Sequence, residues 1–266
     1  TEKVWIERFG QVALGGESVH FENYAREFDR HYSVVAYRTQ PMQFAVLTED
    51  VTERKKALLE IERSNLKFKQ LSQAATHMLS LSTPDDIYNY ITQSLHKQYP
   101  DAVIIFLLVD EEAGKSKMVE IAGIDKKRLN KTIQFTGYDF TKSEFSLNLY
   151  HLKIFKTGRF FAFDKGLADF SGRQFPGVAA RAIEKLLGIK HIYTIGVNKD
   201  EKLFATIHFL NRGSEPITDA DYIESFVIQA GMVIDRKYSE LKVSASEAKF
   251  RKIFNSTNEA IFIHQP

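Results

Sequence analysis

The sequence predicts an α+β chain in which two small mixed domains are joined by a long helix. Three patterns predict it. Short apolar or alternating runs over residues 18–51 and 102–122 are separated by turns, which gives antiparallel sheets rather than parallel ones. Residues 52–81 contain neither Gly nor Pro and carry a helical apolar repeat. Helical patterns with start signals, at 84–99 and 218–241, bracket the second set of strands.

Taken in order, residues 1–13 read as a helix carrying Val4, Trp5, Phe9 and Val12, stopped by Gly15-Gly16. Strands follow at 18–24, 30–39 and 42–51. One helix and three strands close a core poorly, so this region reads as the tail of a domain.

The helix over 52–81 places Ala57, Ile61, Ser64, Phe68, Leu71, Ala75 and Met78 at alternating steps of four and three. That spacing is the seam of a coiled coil. At about 1.5 Å per residue the helix spans roughly 45 Å. Thr52 is read as its N-cap. The seam residues Ile61, Ser64, Phe68, Leu71, Ala75 and Met78 are expected to join two copies of the chain through helical linkers. The competing reading is an amphipathic helix packed on its own domain.

Thr83, Pro84, Asp85 and Asp86 signal a new helix, with Ile87, Ile91 and Leu95 on one face. The apolar run 102–109 reads as a buried strand, and 117–122 returns antiparallel. Residues 123–175 look irregular and rich in aromatics, a length of loop that usually covers a pocket. Tyr138, Phe140, Phe160 and Tyr193 are its candidate lining. A helix over 176–187 ends at Gly188, a left-handed cap. Strands at 192–197 and 203–210 make a hairpin. Thr218-Asp219-Ala220-Asp221 reads as a capping box opening the last long helix.

The 266 residues have a formal net charge of +2, which gives no footprint for nucleic acid. The basic cluster Lys126-Lys127-Arg128 with Lys131 reads as a solvated helix face. No apolar run approaches the ~20 residues of a membrane span, and a cytoplasmic location is expected. Cysteine is absent, which removes disulfides, thiolate metal sites, cysteine nucleophiles and thioether-linked cofactors. The chain has no phosphate-cradling loop, no zinc-protease motif and no nucleophile elbow, so no catalytic residue and no metal ligand is assigned. His77 lacks the acidic neighbour of a phosphoacceptor and reads as a surface or packing histidine. The cofactor is unknown and none is required. A lone histidine leaves haem open.

Two stretches resemble known families. Phe9 with Gly16-Glu17-Ser18-Val19-His20-Phe21, His31-Tyr32-Ser33-Val34, and Phe44 through Asp50-Val51-Thr52-Glu53-Arg54 resemble the C-terminal half of a PAS sensor domain. In PAS proteins an Asp-(Ile/Val)-Thr stands where the last strand hands over to a signalling helix, so Asp50 and Thr52 are the candidate signal junction. Residues 66–240 resemble a GAF domain, carried by Ala179-Ala180-Arg181-Ala182-Ile183-Glu184-Lys185-Leu186-Leu187-Gly188-Ile189, the hairpin after it, and Ile223 through Ala230. Residues 246–264 resemble the opening of a second PAS domain.

The resemblance implies the following organisation. Residues 1–51 are an antiparallel-sheet PAS half-domain, 52–82 a long helical linker, and 83–240 a GAF domain with a central antiparallel sheet flanked by helices. Residues 241–266 are a linker helix and the start of the second PAS domain. First and last GAF helices share one sheet face, and a ligand pocket, where used, lies on the other. A bilin attached to cysteine is excluded. The expected function is a sensory relay segment of a multi-sensor histidine kinase whose output lies outside this chain. Its partners would be a second copy, a small-molecule ligand, and a response regulator for the parent protein. Alternatives are the regulatory region of a cyclic-dinucleotide cyclase or phosphodiesterase, or a ligand-free dimerisation spacer.

Overall fold

The computed structural model describes residues 3–256, apart from 138, 140, 173, 175, 176 and 201. The chain divides into two compact units between Lys69 and Gln70. That boundary falls inside the long helix, not at residue 82.

In the first unit α1 (Lys3–Gly15) is followed by β1 (Val19–Ala25), β2 (Arg30–Gln40) and β3 (Gln43–Asp50), an antiparallel sheet in sequence order. Register places Phe21 opposite Val34, and Val19 opposite Ala36. Side chains of paired residues share a face. On that face Trp5 and Phe9 of α1 meet Phe21 and Phe44, with ring centroids 5.5 and 5.3 Å apart for Trp5–Phe21 and Phe9–Phe44. Val12, Val34 and Ala36 are fully buried beneath them. The opposite face leaves Val35, Tyr37 and Leu47 exposed.

Helix α2 (Thr52–Ser80) is continuous. From Glu53 to Gln70 only Lys55 is even half-buried. Beyond that point the helix joins the core of the second unit through Ala74 and Met78, with Leu71 and Leu81 packed alongside. Those positions, at steps of three and four, share Leu71 and Met78 with the seam expected from sequence and replace Ala75 by Ala74. Met78 is wholly buried in its own domain and Leu71 is half-buried there, so neither is free for a second helix. Of the seam residues expected from sequence, Leu71 and Met78 are thus taken up by the core of their own unit.

The second unit continues with α3 (Pro84–Gln98), β4 (Ala102–Asp110), β5 (Lys115–Ala122), α4 (Lys126–Thr136), β6 (Glu144–Ser146) and α5 (Leu149–Lys156). Then come β7 (Phe161–Phe163), α6 (Gly166–Phe170), α7 (Gly177–Leu187), β8 (His191–Lys199), β9 (Lys202–Asn211) and α8 (Ala220–Ser256). Thr83 caps α3 with a full capping box: its hydroxyl accepts Asp86 N–H at 3.2 Å, and Asp86 returns the contact to Thr83 N–H at 3.2 Å. Gly188 closes α7 in the left-handed region, and Ile189 N–H reaches back to Glu184 O at 2.9 Å. Asp219 O, rather than Thr218, accepts the first bond of α8, from Ile223 N–H at 3.2 Å. The aromatic stretch expected to be irregular contains α4, α5 and α6, held by Asp125 and Asn148 as N-caps.

The six strands form one antiparallel sheet in the order β6-β5-β4-β9-β8-β7. Alternation along the three central strands divides their residues between two faces. Ile104, Phe106, Ile207, Phe209, Tyr193 and Ile195 meet α3, α8 and the end of α2. Val103, Leu107, Leu210 and Ile192 meet α6 and α7 on the other side. Ile223, Val227, Ala230 and Ile234 of α8 are buried in the first of these cores, whereas residues 241–255 are exposed. Among the described residues no helix is long and apolar enough to cross a membrane.

Candidate functional site

Two places concentrate polar contacts that packing alone does not require: the strand–helix junction of the first unit and a cavity in the second.

At the junction Val51, not Thr52, is the N-cap, because Val51 O accepts Lys55 N–H at 2.9 Å. Thr52 is instead turned to its sheet. Its hydroxyl donates to Asp50 Oδ1 at 2.5 Å and accepts His31 N–H of β2 at 2.9 Å. Asp50 Oδ1 also accepts Thr52 N–H at 3.0 Å, and Arg30 Nη1 donates to Asp50 Oδ2 at 2.6 Å. The Thr52 hydroxyl and amide, with Arg30, hold the Asp50 carboxyl below its usual range. One turn on, Arg54 and Lys55 both reach Glu22 of β1 at 2.7 Å. The first turn of α2 is thus fastened to all three strands of its sheet.

The cavity, about 100 Å³, lies on the sheet face away from α3 and α8. Strands β4, β5 and β9 form its floor, and α5, α6 and α7 contribute walls. Ile105, Met118, Phe155 and Leu187 give it an apolar character. Its polar groups include Ser116, Ser171, Thr206, Gln174 and two histidines, and among the described residues no Lys, Arg, Asp or Glu lines it.

His208 sits at the floor, opposite Thr194 in the β8–β9 register and two residues from Thr206 on the same face. Its Nδ1 lies 2.8 Å from Thr194 Oγ1 and its Nε2 2.9 Å from Thr206 Oγ1. Both ring nitrogens are therefore occupied. Burial first, and His151 second, push its pKa down to about 3, so the ring is neutral at physiological pH.

His151 is held differently. Asn148 caps α5 by accepting His151 N–H at 2.7 Å, and the amide of the same side chain lies 3.1 Å from His151 Nδ1. Burial lowers the His151 pKa against the opposing pull of Asp169. Phe155, one turn along, anchors α5: its carbonyl accepts Asn198 Nδ2 at 2.9 Å. That carbonyl lies over Gly196, where a Cβ would fall 2.0 Å away, so only glycine admits the helix this close to β8. Lys156 pairs with Glu111 at 2.6 Å, and Glu111 also accepts Leu203 N–H at 3.0 Å. At the rim Gln174 bonds both main-chain groups of Ser146, at 2.6 and 2.8 Å, imitating one more strand residue beside β6.

The expected pocket residues do not come together here. Phe160 and Tyr193 stack at 4.9 Å on the opposite face, with Phe160 against Phe209 at 5.2 Å. Both belong to the core beneath α3 and α8, and neither lines this cavity. The reason is strand alternation: Thr194, not Tyr193, points to the cavity side. Tyr138 and Phe140 lie outside the described residues. Sequence reasoning missed His151 and His208. The signal available was His208 flanked by apolar residues in a buried strand, where an ionisable side chain needs partners.

Among the described residues no three His, Asp or Glu side chains are placed to hold a metal ion. The cavity falls in the size class of the roughly 150 Å³ that admits a benzene ring, far short of a porphyrin or a tetrapyrrole. His77 is exposed, with its ring 4.5 Å from that of Tyr90.

No protein-family model matches the sequence, and no curated protein matches it. Solved structures of similar shape include residues 122 to 287 of a methyl-accepting chemotaxis protein, at 18% identity and a TM-score of 0.45, covering 65% of this chain and 98% of that one. The GAF domain of an Acinetobacter phosphoenolpyruvate-protein phosphotransferase is similar at 11% identity and a TM-score of 0.46, covering 66% and 96%. The chromophore-binding domain of a bacteriophytochrome from R. palustris is similar at 9% identity and a TM-score of 0.47, covering 85% and 75%.

Proposed function

We propose that this chain is a sensory relay segment: a GAF-type sensor domain preceded by PAS-type strands and a signalling helix, working as a homodimer in the cytoplasm. The parent protein would be a sensor histidine kinase acting on a response regulator, and the 266 residues themselves would carry no catalysis. Three features support the GAF assignment. They are the residues that resemble that family, the antiparallel sheet with α3 and α8 together on one face, and a cavity on the other.

The observation that carries the relay reading is the character of α2. It is one unbroken helix, stapled at its start by Asp50 and Thr52 and gripped near its end by Met78 in a packed core. Between those anchors Ile61, Ser64 and Phe68 stand in solvent, with Ile61 57% and Phe68 70% exposed. A helix isolated in water is marginal, and a lone polar residue at a core position of a paired one weakens it further. A ligand that prefers one arrangement of the second unit can then bias how two such helices pair.

Sedimentation equilibrium of the 266-residue chain tests this. Ser64→Leu should tighten self-association by about tenfold or more, since a buried Leu contributes roughly 1.5–3 kcal/mol. Ile61→Asp should dissociate the dimer. A chain that stays monomeric at high concentration and ignores both substitutions would sink the reading.

A further inference from the structure

The two histidines of the cavity differ in what they offer. His208 has both nitrogens bonded to threonine hydroxyls and offers nothing. His151 is 94% buried, being 6% exposed, and lines the same space. Its Nδ1 faces the Asn148 amide, whose oxygen is committed to His151 N–H. With Asn148 Nδ2 donating to Nδ1, the neutral ring carries its proton on Nε2. No protein acceptor for Nε2 occurs among the described residues. The Nε2–H is therefore available to an acceptor that enters the cavity.

We propose that the cavity takes an uncharged, mainly apolar molecule of about one ring in size, bearing a single oxygen or nitrogen that accepts the Nε2–H of His151. His151 would thus determine specificity, and Asn148 would position it by fixing the tautomer. The proposal rests on reading the second unit as a ligand-sensing domain.

Three features define the ligand class. Among the described residues no cationic or anionic side chain lines the cavity, so a carboxylate or phosphate would find no counter-charge from them. Burial lowers the pKa of both histidines below the ordinary value, so neither supplies a positive charge at pH 7.5. The volume of about 100 Å³, below the roughly 150 Å³ of a cavity that binds benzene, limits the ligand to about one ring at most. Gly172 lies against this corner in the left-handed region. A Cβ there would fall 2.9 Å from Asn148 Nδ2 and 3.6 Å from His151 Cε1, so the Asn148–His151 pair leaves no room for a side chain behind it.

Ligand-observed NMR titrations with phenol, toluene and benzoate at pH 7.5 test the proposal. Phenol should bind three- to tenfold more tightly than toluene, about the net contribution of one hydrogen bond. Benzoate, the charged relative of similar size, should bind more than about tenfold more weakly than phenol. In His151→Phe the phenol affinity should fall to the toluene level while toluene affinity holds. A merely structural histidine would lower both together, and that result would overturn the assignment. If His151→Phe does not fold, the wild-type order of the three probes still decides. Benzoate binding as well as phenol would overturn the uncharged class but leave a sensing pocket in place. Failure of all three to bind would overturn both the ligand class and the cavity as sensing site, whereas the relay reading has its separate test in self-association.

Discussion

The two faces of the six-stranded sheet are made by the same strands and differ by one residue of phase. Ile104, Phe209 and Tyr193 are register partners across β4, β9 and β8 and face α3 and α8. Ile105, His208 and Thr194, each one residue along, are register partners on the other face. The first face carries the largest fully buried side chains, Phe106 and Phe209, against Tyr88 of α3 and Phe226 of α8. The second carries a cavity, a neutral histidine and hydroxyls. The difference teaches where a small domain keeps room for a ligand. Two long helices with continuous apolar stripes cover one face, leaving its large side chains fully buried. Short helices joined by turns leave the other incompletely filled.

The sharpest way to break this contrast is to truncate adjacent residues. Ile104→Ala should cost about 3–5 kcal/mol in denaturant unfolding, the upper end for such changes, because its packed surroundings leave a new void. Ile105→Ala should cost about 2 kcal/mol or less, because its side chain already borders empty space. Equal costs would mean that both faces are packed alike.

The second test uses pH. His208 is pushed from an ordinary 6.5 to about 3 in the folded protein, so the unfolded chain binds its proton first as pH falls. Its neutral burial is therefore fully compatible with folding above pH 6.5, and stability declines from there toward pH 3. The slope should approach about 1.4 kcal/mol per pH unit for one such site. His151, lowered by burial as well, acts in the same direction. His208→Gln should flatten the slope between about pH 6 and 4. An unchanged slope in that variant would place the proton elsewhere. Asp50 belongs to a lower window, its carboxyl being depressed, so its contribution fades only below the ordinary carboxylate range.

The smallest expected effect is Ser116→Val on β5. A branched apolar residue suits the strand and fills part of the cavity, so stability should change by less than about 1 kcal/mol in either direction. Phenol binding should nonetheless be lost. A variant that still binds phenol would show that the probe occupies another place.

Much of the fold is readable from local signals. The capping box at Thr83, the left-handed cap at Gly188 and the hairpin around Asp200 each depend on residues within a few positions of one another. The exit Asp50–Thr52 was legible too, although its detail was not: Thr52 reaches His31, 21 residues earlier, so its hydroxyl serves the sheet and not the helix end. The stretch 123–175 hid α4, α5 and α6 because its aromatics have no single period. The helix seam was overextended at Leu71 and Met78, since an apolar stripe looks the same whether it meets another chain or its own core.

The sequence by itself determined the α+β class, the start of α3 and the end of α7, the lack of thiol chemistry, and the continuity of the long helix. These follow from backbone preferences and composition, which act within a turn or two of chain. Only the tertiary structure decided which strand residues face the cavity, which histidine has a nitrogen to spare, and which turns of α2 remain in solvent. Those outcomes depend on register between strands far apart in sequence, where a shift of one residue exchanges the two faces.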